Sequence, residues 1–228
     1  MNKITLIGID TAKQVFHLVG VDAQGHYVWR KRLSRRQLLS ALAQIACCEV
    51  VLEACGASHH WARCIKALGH TVRLIAPQHV KPYRRGQKND YRDAEAIIAA
   101  ALSPGMRFVG VKRVEQQAEQ ALHRVRSRLM SQRNAAANAL RGLLGEYGVV
   151  FRRGLKPLRE GARCFAETEA AHTLGLVELV NDVLEEISVL QARMDHYERL
   201  IEQRVQADET SRRLREELSG VGKLGASA

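Results

Sequence analysis

At 228 residues, with a formal net charge of +11 and a sequence pI near 9.8, the chain has room for one sizeable domain plus a helical appendage, and its charge points to an anionic partner. No apolar run approaches the length that spans a bilayer, and Met1-Asn2-Lys3 leads straight into a strand with no signal peptide. The odd number of cysteines (Cys47, Cys48, Cys55, Cys64 and Cys164) argues against a disulfide framework and for reduced thiols in a cytoplasmic protein.

The first apolar run, Ile4-Thr5-Leu6-Ile7-Gly8-Ile9, reads as a buried strand that ends at Asp10. Two alternating segments follow, Gln14 to Val21 and His26 to Leu33, joined by the hairpin turn Asp22-Ala23-Gln24-Gly25. An amphipathic helix is predicted from Ser34, its N-cap, to Ala46, with Leu38, Leu39 and Leu42 on one side. Val50-Val51-Leu52 is a further strand ending at Glu53; a helix of about Ser58 to Leu68 then leads to a strand at Thr71 to Ile75. Asp90 and Asp93 open an alanine- and isoleucine-rich segment, Ala94 to Leu102, that reads as a helix, and Arg107 to Lys112 is a short edge strand or connector. Three meandering strands, helix, strand, helix, strand, helix is the order of an α/β, RNase H-like fold with a mixed sheet and flanking helices.

In that fold Asp10, Glu53, Asp90 and Asp93 converge at one end of the sheet, because residues three apart on a helix share a face and the two strands are expected to be parallel neighbours. Such a cluster implies divalent-metal phosphoryl transfer: Mg²⁺ and Mn²⁺ prefer carboxylate oxygens and retain waters, leaving positions open for a phosphate. With two ions, Asp10 on its central strand is the choice for the bridging ligand. Glu53 and Asp93 would each hold one ion, and Asp90 would complete the shell or orient a water. Taken singly, each acid has a plainer reading. Asp10 can start a turn, Asn89 or Asp90 can cap a helix, and Asp93 can answer the helix dipole.

Three segments carry a family resemblance. Gly8-Ile9-Asp10-Thr11-Ala12-Lys13, Leu52-Glu53-Ala54-Cys55-Gly56 and Lys88-Asn89-Asp90-Tyr91-Arg92-Asp93-Ala94 closely resemble the acidic motifs of the DEDD transposases of insertion-sequence family 110. The resemblance implies a RuvC-like N-terminal domain, a helical linker and a C-terminal transposase domain. It also implies that Asp10, Glu53, Asp90 and Asp93 are the metal-binding tetrad of a DNA recombinase acting on element ends and target, guided by a structured RNA. In that family a serine of the C-terminal domain joins the carboxylates, usually from another subunit. Here Leu218 to Ala228 resembles only the start of that domain and Ser227 is not at the serine's position, so the resemblance implies a truncated, incomplete recombinase. The expected boundaries are 1–110 for the catalytic domain, 111–217 for the helical region and 218–228 for the stub.

Charge is unevenly spread. Residues 1–106 carry 15 Lys and Arg against 7 Asp and Glu, residues 107–163 carry 13 against 4, and residues 164–218 reverse the sign with 6 against 13. Val114 to about Tyr147 reads as one long helix, since Val114, Ala118, Ala121, Val125, Leu129, Ala136, Leu140 and Leu144 recur at helical spacing. Arg124, Arg126, Arg128, Arg133 and Arg141 spread over its other faces as candidate contacts to DNA or RNA phosphates, extended by Arg152, Arg153, Lys156 and Arg159 in a turn-rich stretch. A solvated helix surface is the alternative. From residue 176, Leu176, Val180, Val183, Ile187, Leu190, Met194, Tyr197 and Ile201 form a heptad seam, to be paired with the Val114–Tyr147 helix or with another subunit of a homo-oligomer.

Two other motifs carry less. Gly220-x-Gly222-x-x-Gly225 matches a dinucleotide fingerprint but follows a helix and has none after it, so a glycine turn of a helix-hairpin-helix-like element fits better than a nucleotide cofactor. His60 and Cys64, with Cys55 and His59 nearby, lack the paired Cys-x-x-Cys spacing of a structural zinc site; His59 and His60 can instead line the cleft. The reading is a transposase of a mobile element. The alternatives are a Holliday-junction-resolvase-like endonuclease using the same acids, or a non-catalytic nucleic-acid-binding and dimerisation module.

Overall fold

Leu6, Ile7 and Ile9 are buried on both sides of their strand, and only a central position in a sheet covered on both faces accounts for that. The computed structural model describes residues 3–84 and 90–209, without the side chain of Asp90. The Lys88-Asn89 part of the third motif and the 218–228 stub with its glycine motif lie outside the described residues. The chain divides into two units, Met1–Arg113 and Val114–Ala228.

The first unit is built on a six-stranded sheet of β1 (Leu6–Thr11), β2 (Val15–Val21), β3 (Tyr27–Ser34), β4 (Glu49–Glu53), β5 (Thr71–Ile75) and β6 (Phe108–Val109), in the order β3-β2-β1-β4-β5-β6. β2 pairs antiparallel with β1 and β3, β4 runs parallel to β1 and β5, and β6 closes the edge antiparallel to β5. This is the mixed α/β, RNase H-like sheet that the element order predicts. The hairpin turn forms as its residues require: the Asp22 carboxylate accepts the backbone N–H groups of Gln24 and His26 at 3.0 and 2.9 Å, and Gly25 takes φ +83°.

Helices cover both faces. On one, α1 (Leu38–Leu42) and α2 (Ser58–Ala67) bury Leu38, Leu42, Trp61 and Ile65 against Ile7, Ile9, Phe16, Leu18, Val50 and Leu52. On the other, α3 (Pro77–Val80) and α4 (Asp90–Ala101) bury Val80, Ala94, Ile97 and Ile98 against Leu6, Val19, Val21, Val51 and Ile75. A 3-10 turn, Lys81–Tyr83, continues directly from the end of α3. Sequence periodicity overestimates α1. Ser34 does not cap it, because Ser34 still pairs with Val15 at the end of β3. Its hydroxyl and N–H instead donate to the Gln37 side chain at 2.8 and 3.0 Å, and the helix starts only after that turn.

The second unit is an antiparallel pair of long helices, α5 (Val114–Gly145) and α8 (Leu176–Ala207), with α6 (Leu155–Ala166) and α7 (Glu169–Thr173) between them in sequence. Leu122 packs near Ile201 and Val205, Leu129 near Leu190 and Met194, and Leu140 and Leu144 near Val180 and Leu184. The heptad seam is therefore used within the chain. Where α6 also covers α8, the apolar face widens and Leu184 is buried beside the half-buried Val183. The stretch read as turn-rich after residue 154 is in fact α6, whose Leu158, Ala162 and Ala166 face the same core. Among the described residues no helix is long and apolar enough to cross a membrane.

Leu129 is fully buried between Leu190 and Met194 in a stretch of the hairpin that, among the described residues, no third helix covers. Leu129→Ala is expected to lower the unfolding free energy by about 2–5 kcal/mol in urea titrations followed by circular dichroism.

Candidate active site at the end of the sheet

β1 and β4 pair in parallel from Leu6 with Glu49 to Ile9 with Leu52, so the next residues, Asp10 and Glu53, leave the ladder at the same end. Side chains alternate along a strand. Leu6 and Val51 lie in the core beneath α4, which puts Asp10 and Glu53 on that same face. The first turns of α4 arrive there too, carrying Asp90 and Asp93. Gly8 sets how close α4 comes: a Cβ at Gly8 would stand 2.5 Å from the Ala94 carbonyl oxygen and 2.6 Å from Ile98 Cγ1. No larger residue fits between β1 and this helix as they stand.

The carboxylates feel one another. Burial raises the Asp10 proton affinity above the ordinary aspartate value. Asp93 and Glu53 raise it further, while His17 and Arg84 oppose the rise. Arg84, just after the 3-10 turn, forks between two of the acids: Nη2 donates to Glu53 Oε2 at 2.7 Å, and Nε lies 3.2 Å from Asp93 Oδ1. The Glu53 and Asp93 side chains keep 16% and 25% of their exposure and that of Arg84 45%. Among the described residues the site is a half-open acidic cleft with the Arg84 guanidinium between its walls.

Asp10, Glu53 and Asp93 are therefore brought together from three elements. Asp90 lies on α4 with Asp93, its side chain outside the described residues. Among the described residues no three His, Cys, Asp or Glu side chains stand close enough to grip an ion as they are. Glu53 and Asp93 are instead each bonded to a different nitrogen of Arg84. The donor set still suits a hard divalent cation, being made of carboxylate oxygens whose mutual repulsion a cation relieves.

Sequence reasoning missed two residues here. His17 is buried on β2 directly opposite Asp10, with the Tyr91 ring edge-on at 5.3 Å. The short link Ala12-Lys13-Gln14 fixes that register, so the pairing could have been counted. Arg84 left no such signal, because its position depends on the turn Lys81–Tyr83, which periodicity does not show. The other polar residues near the motifs have separate tasks. The Thr11 hydroxyl contacts Cys55 Sγ at 2.9 Å. His59 Nδ1 accepts the Lys112 N–H at 3.1 Å, while Arg63 donates to the Lys112 carbonyl at 2.6 Å. His60 Nε2 lies 3.8 Å from Cys64 one turn on.

The candidate phosphate contacts separate into two groups. Arg124, Arg128, Arg152, Arg153 and Lys156 are exposed. Arg126, by contrast, is only 16% exposed and bonds Glu198 across the α5–α8 hairpin through Nε and Nη2 at 2.8 and 2.5 Å. Arg133 reaches Gln191 at 2.6 Å, and Arg141 donates to the Gly154 carbonyl at 2.8 Å. These three are tied into the helical unit. They occupy the flanks of the seam, where acidic or amide partners on α8 and the α5–α6 link were in reach.

The model of the DEDD transposases of insertion-sequence family 110, described as a transposase, matches residues 7–149. The chain is 46% identical over 227 residues to a Pseudomonas aeruginosa protein named "Probable family 20 transposase", covering 99% of this chain and 67% of that one. It is 39% identical to the "Transposase for insertion sequence element IS1111A" of Coxiella burnetii, over 99% of this chain and 62% of the relative. With the "Transposase for insertion sequence element IS1328" of Yersinia enterocolitica it shares 38% identity over 100% of this chain and 67% of the relative. The chain thus spans about two thirds of the length of these relatives or slightly less.

Gly8→Ala is expected to push α4 off β1 and cost about 1–3 kcal/mol of stability in urea unfolding. Gly20→Ala serves as the contrast, since its Cβ would meet side-chain atoms of Ile4 and Trp29 at 3.2–3.4 Å and should cost less.

Proposed function

Because the chain belongs to the DEDD transposases of insertion-sequence family 110, we propose that its first unit is the metal-dependent nuclease of a DNA recombinase and that its helical unit holds nucleic-acid backbone. The observation that carries this reading is the arrival of Asp10, Glu53 and Asp93 from β1, β4 and α4 at one end of the sheet. Asp10, fixed on the central strand, suits a bridging ligand. Glu53 and Asp93 suit flanking ligands, and Asp90, one helical turn before Asp93, completes the tetrad that the family motif implies. Two bound Mg²⁺ or Mn²⁺ ions would supply charge neutralisation at a phosphodiester and activation of an attacking oxygen. The chain's own residues do the rest: Gly8 admits α4, β1 and β4 aim their acids to one side, and His17 and Arg84 temper the repulsion among them.

The partners of this reading are DNA and, by the family resemblance, a structured guide RNA. The exposed Arg124, Arg128, Arg152, Arg153 and Lys156 supply phosphate contacts. Subunit assembly belongs to surfaces other than the α5–α8 seam, which is filled within the chain.

The test is cleavage of a supercoiled plasmid and of a branched DNA in Mg²⁺ or Mn²⁺, with the neighbouring element's RNA added or omitted. Asp10→Asn should reduce cutting at least about 100-fold while leaving DNA binding in place. Cutting of branched DNA that needs no RNA would favour the resolvase-like endonuclease. Binding with no cutting by the unmodified chain would leave the non-catalytic binding module.

Arg124→Ala with Arg128→Ala should weaken DNA binding and reduce the slope of log K against log salt by up to about 2. Arg126→Ala should leave that slope unchanged and instead lower the stability of the helical unit, because it strands Glu198 in a half-buried position.

A further inference from the structure

Arg84 stands where the proposed site needs a cation. Its two contacts fall on acids from different elements, Glu53 at the end of β4 and Asp93 in the first turns of α4. It also lies near enough to Asp10 to offset part of the repulsion there. A single ion pair at this exposure contributes little, so stability does not account for a forked guanidinium between two strategic carboxylates. The fork does hold the two walls of the cleft at one separation, with an oxygen of each committed to a nitrogen. A guanidinium carries one positive charge and has no lone pair, so it substitutes for part of a divalent ion's electrostatics and for none of its chemistry.

We propose that Arg84 is an exchangeable counter-ion of the acidic site: it latches Glu53 to Asp93 before metal enters, gives up those oxygens when metal binds, and then takes a phosphate oxygen of the nucleic acid. The inference rests on the metal-site reading above. Two like charges cannot share these carboxylates at close range without repulsion, so metal entry loosens the guanidinium. The released fork, on the rim of the cleft, matches phosphate geometry bidentately. Metal and nucleic acid therefore bind with positive coupling, because each removes a competitor of the other. The same latch keeps the cleft from collapsing open under carboxylate repulsion while no metal is present.

The test measures Mn²⁺ affinity by isothermal titration and by the paramagnetic signal of free Mn²⁺, on the full chain, with and without a short single-stranded DNA whose phosphorothioate linkages stay anionic and resist cleavage. Arg84→Gln should bind Mn²⁺ roughly tenfold more tightly than the unmodified chain in the absence of DNA. DNA should tighten Mn²⁺ binding in the unmodified chain and do so far less in Arg84→Gln. Arg84→Lys, which keeps the charge without the fork, should lie between the two, and it carries the test should Arg84→Gln be too unstable to titrate. Unchanged or weaker Mn²⁺ binding in both variants, with binding that Asp10→Asn abolishes, would overturn the role of Arg84 and leave the site standing. Mn²⁺ binding that Asp10→Asn does not affect would instead sink the site reading itself.

Discussion

Repulsion among carboxylates drawn to one end of the sheet is the constraint that the first unit has to satisfy. Parallel pairing of β1 with β4 puts Asp10 and Glu53 side by side, and the missing side chain of Gly8 lets α4 deliver Asp93 to the same place. None of these acids can retreat, since Ile9, Leu52 and Ala94 next to them are fully buried and fix their backbones. The positive end of α4 favours Asp93, His17 faces Asp10 from the next strand, and Arg84 bridges the remaining pair. Burial first, and then Asp93 and Glu53, still raise the proton affinity of Asp10 against the opposing His17 and Arg84.

The helical unit handles the opposite charge by a different rule. α5 is rich in arginine, yet the fold turns Arg126, Arg133 and Arg141 to partners within the unit. A half-buried pair such as Arg126 with Glu198 yields modest net stability, because desolvation cancels much of its attraction, but losing one partner is costly. The pair ties α5 to α8 at this one register. What remains outward is Arg124 and Arg128 one turn apart and, around the start of α6, Arg152, Arg153 and Lys156, the last 3.9 Å from the exposed Glu160.

Much of this was legible in the sequence. Strands with strong alternation or full burial, the Asp22–Gly25 turn, α2, β5 and the long helices follow from periodicity and turn chemistry, and the sheet order follows from element order. What escaped depended on tertiary context. α1 is short because Ser34 remains in the ladder with Val15, which propensity could not reveal. α6 was hidden because its arginines, glycine and proline obscure the apolar stripe Leu158, Ala162 and Ala166. Asp10, Glu53 and Asp93 stood out in the sequence, since carboxylates beside apolar runs are conspicuous. Arg84 and His17 were not, because an arginine among many arginines and a histidine in a strand look ordinary until their neighbours across the fold are known.

The two kinds of charge need one another if the proposed chemistry is right. An acidic cleft repels a phosphodiester, so affinity for nucleic acid has to come from basic residues elsewhere in the chain, and the cleft must change sign before it can receive a phosphate. Bound divalent cations would reverse that sign. The Arg84 guanidinium between Glu53 and Asp93 carries one positive charge and so offsets only part of theirs. A strongly basic protein can thus carry an acidic centre without the two cancelling: under the proposed function the exposed arginines would meet the backbone, and the carboxylates would meet only a phosphate that bound metal had made acceptable.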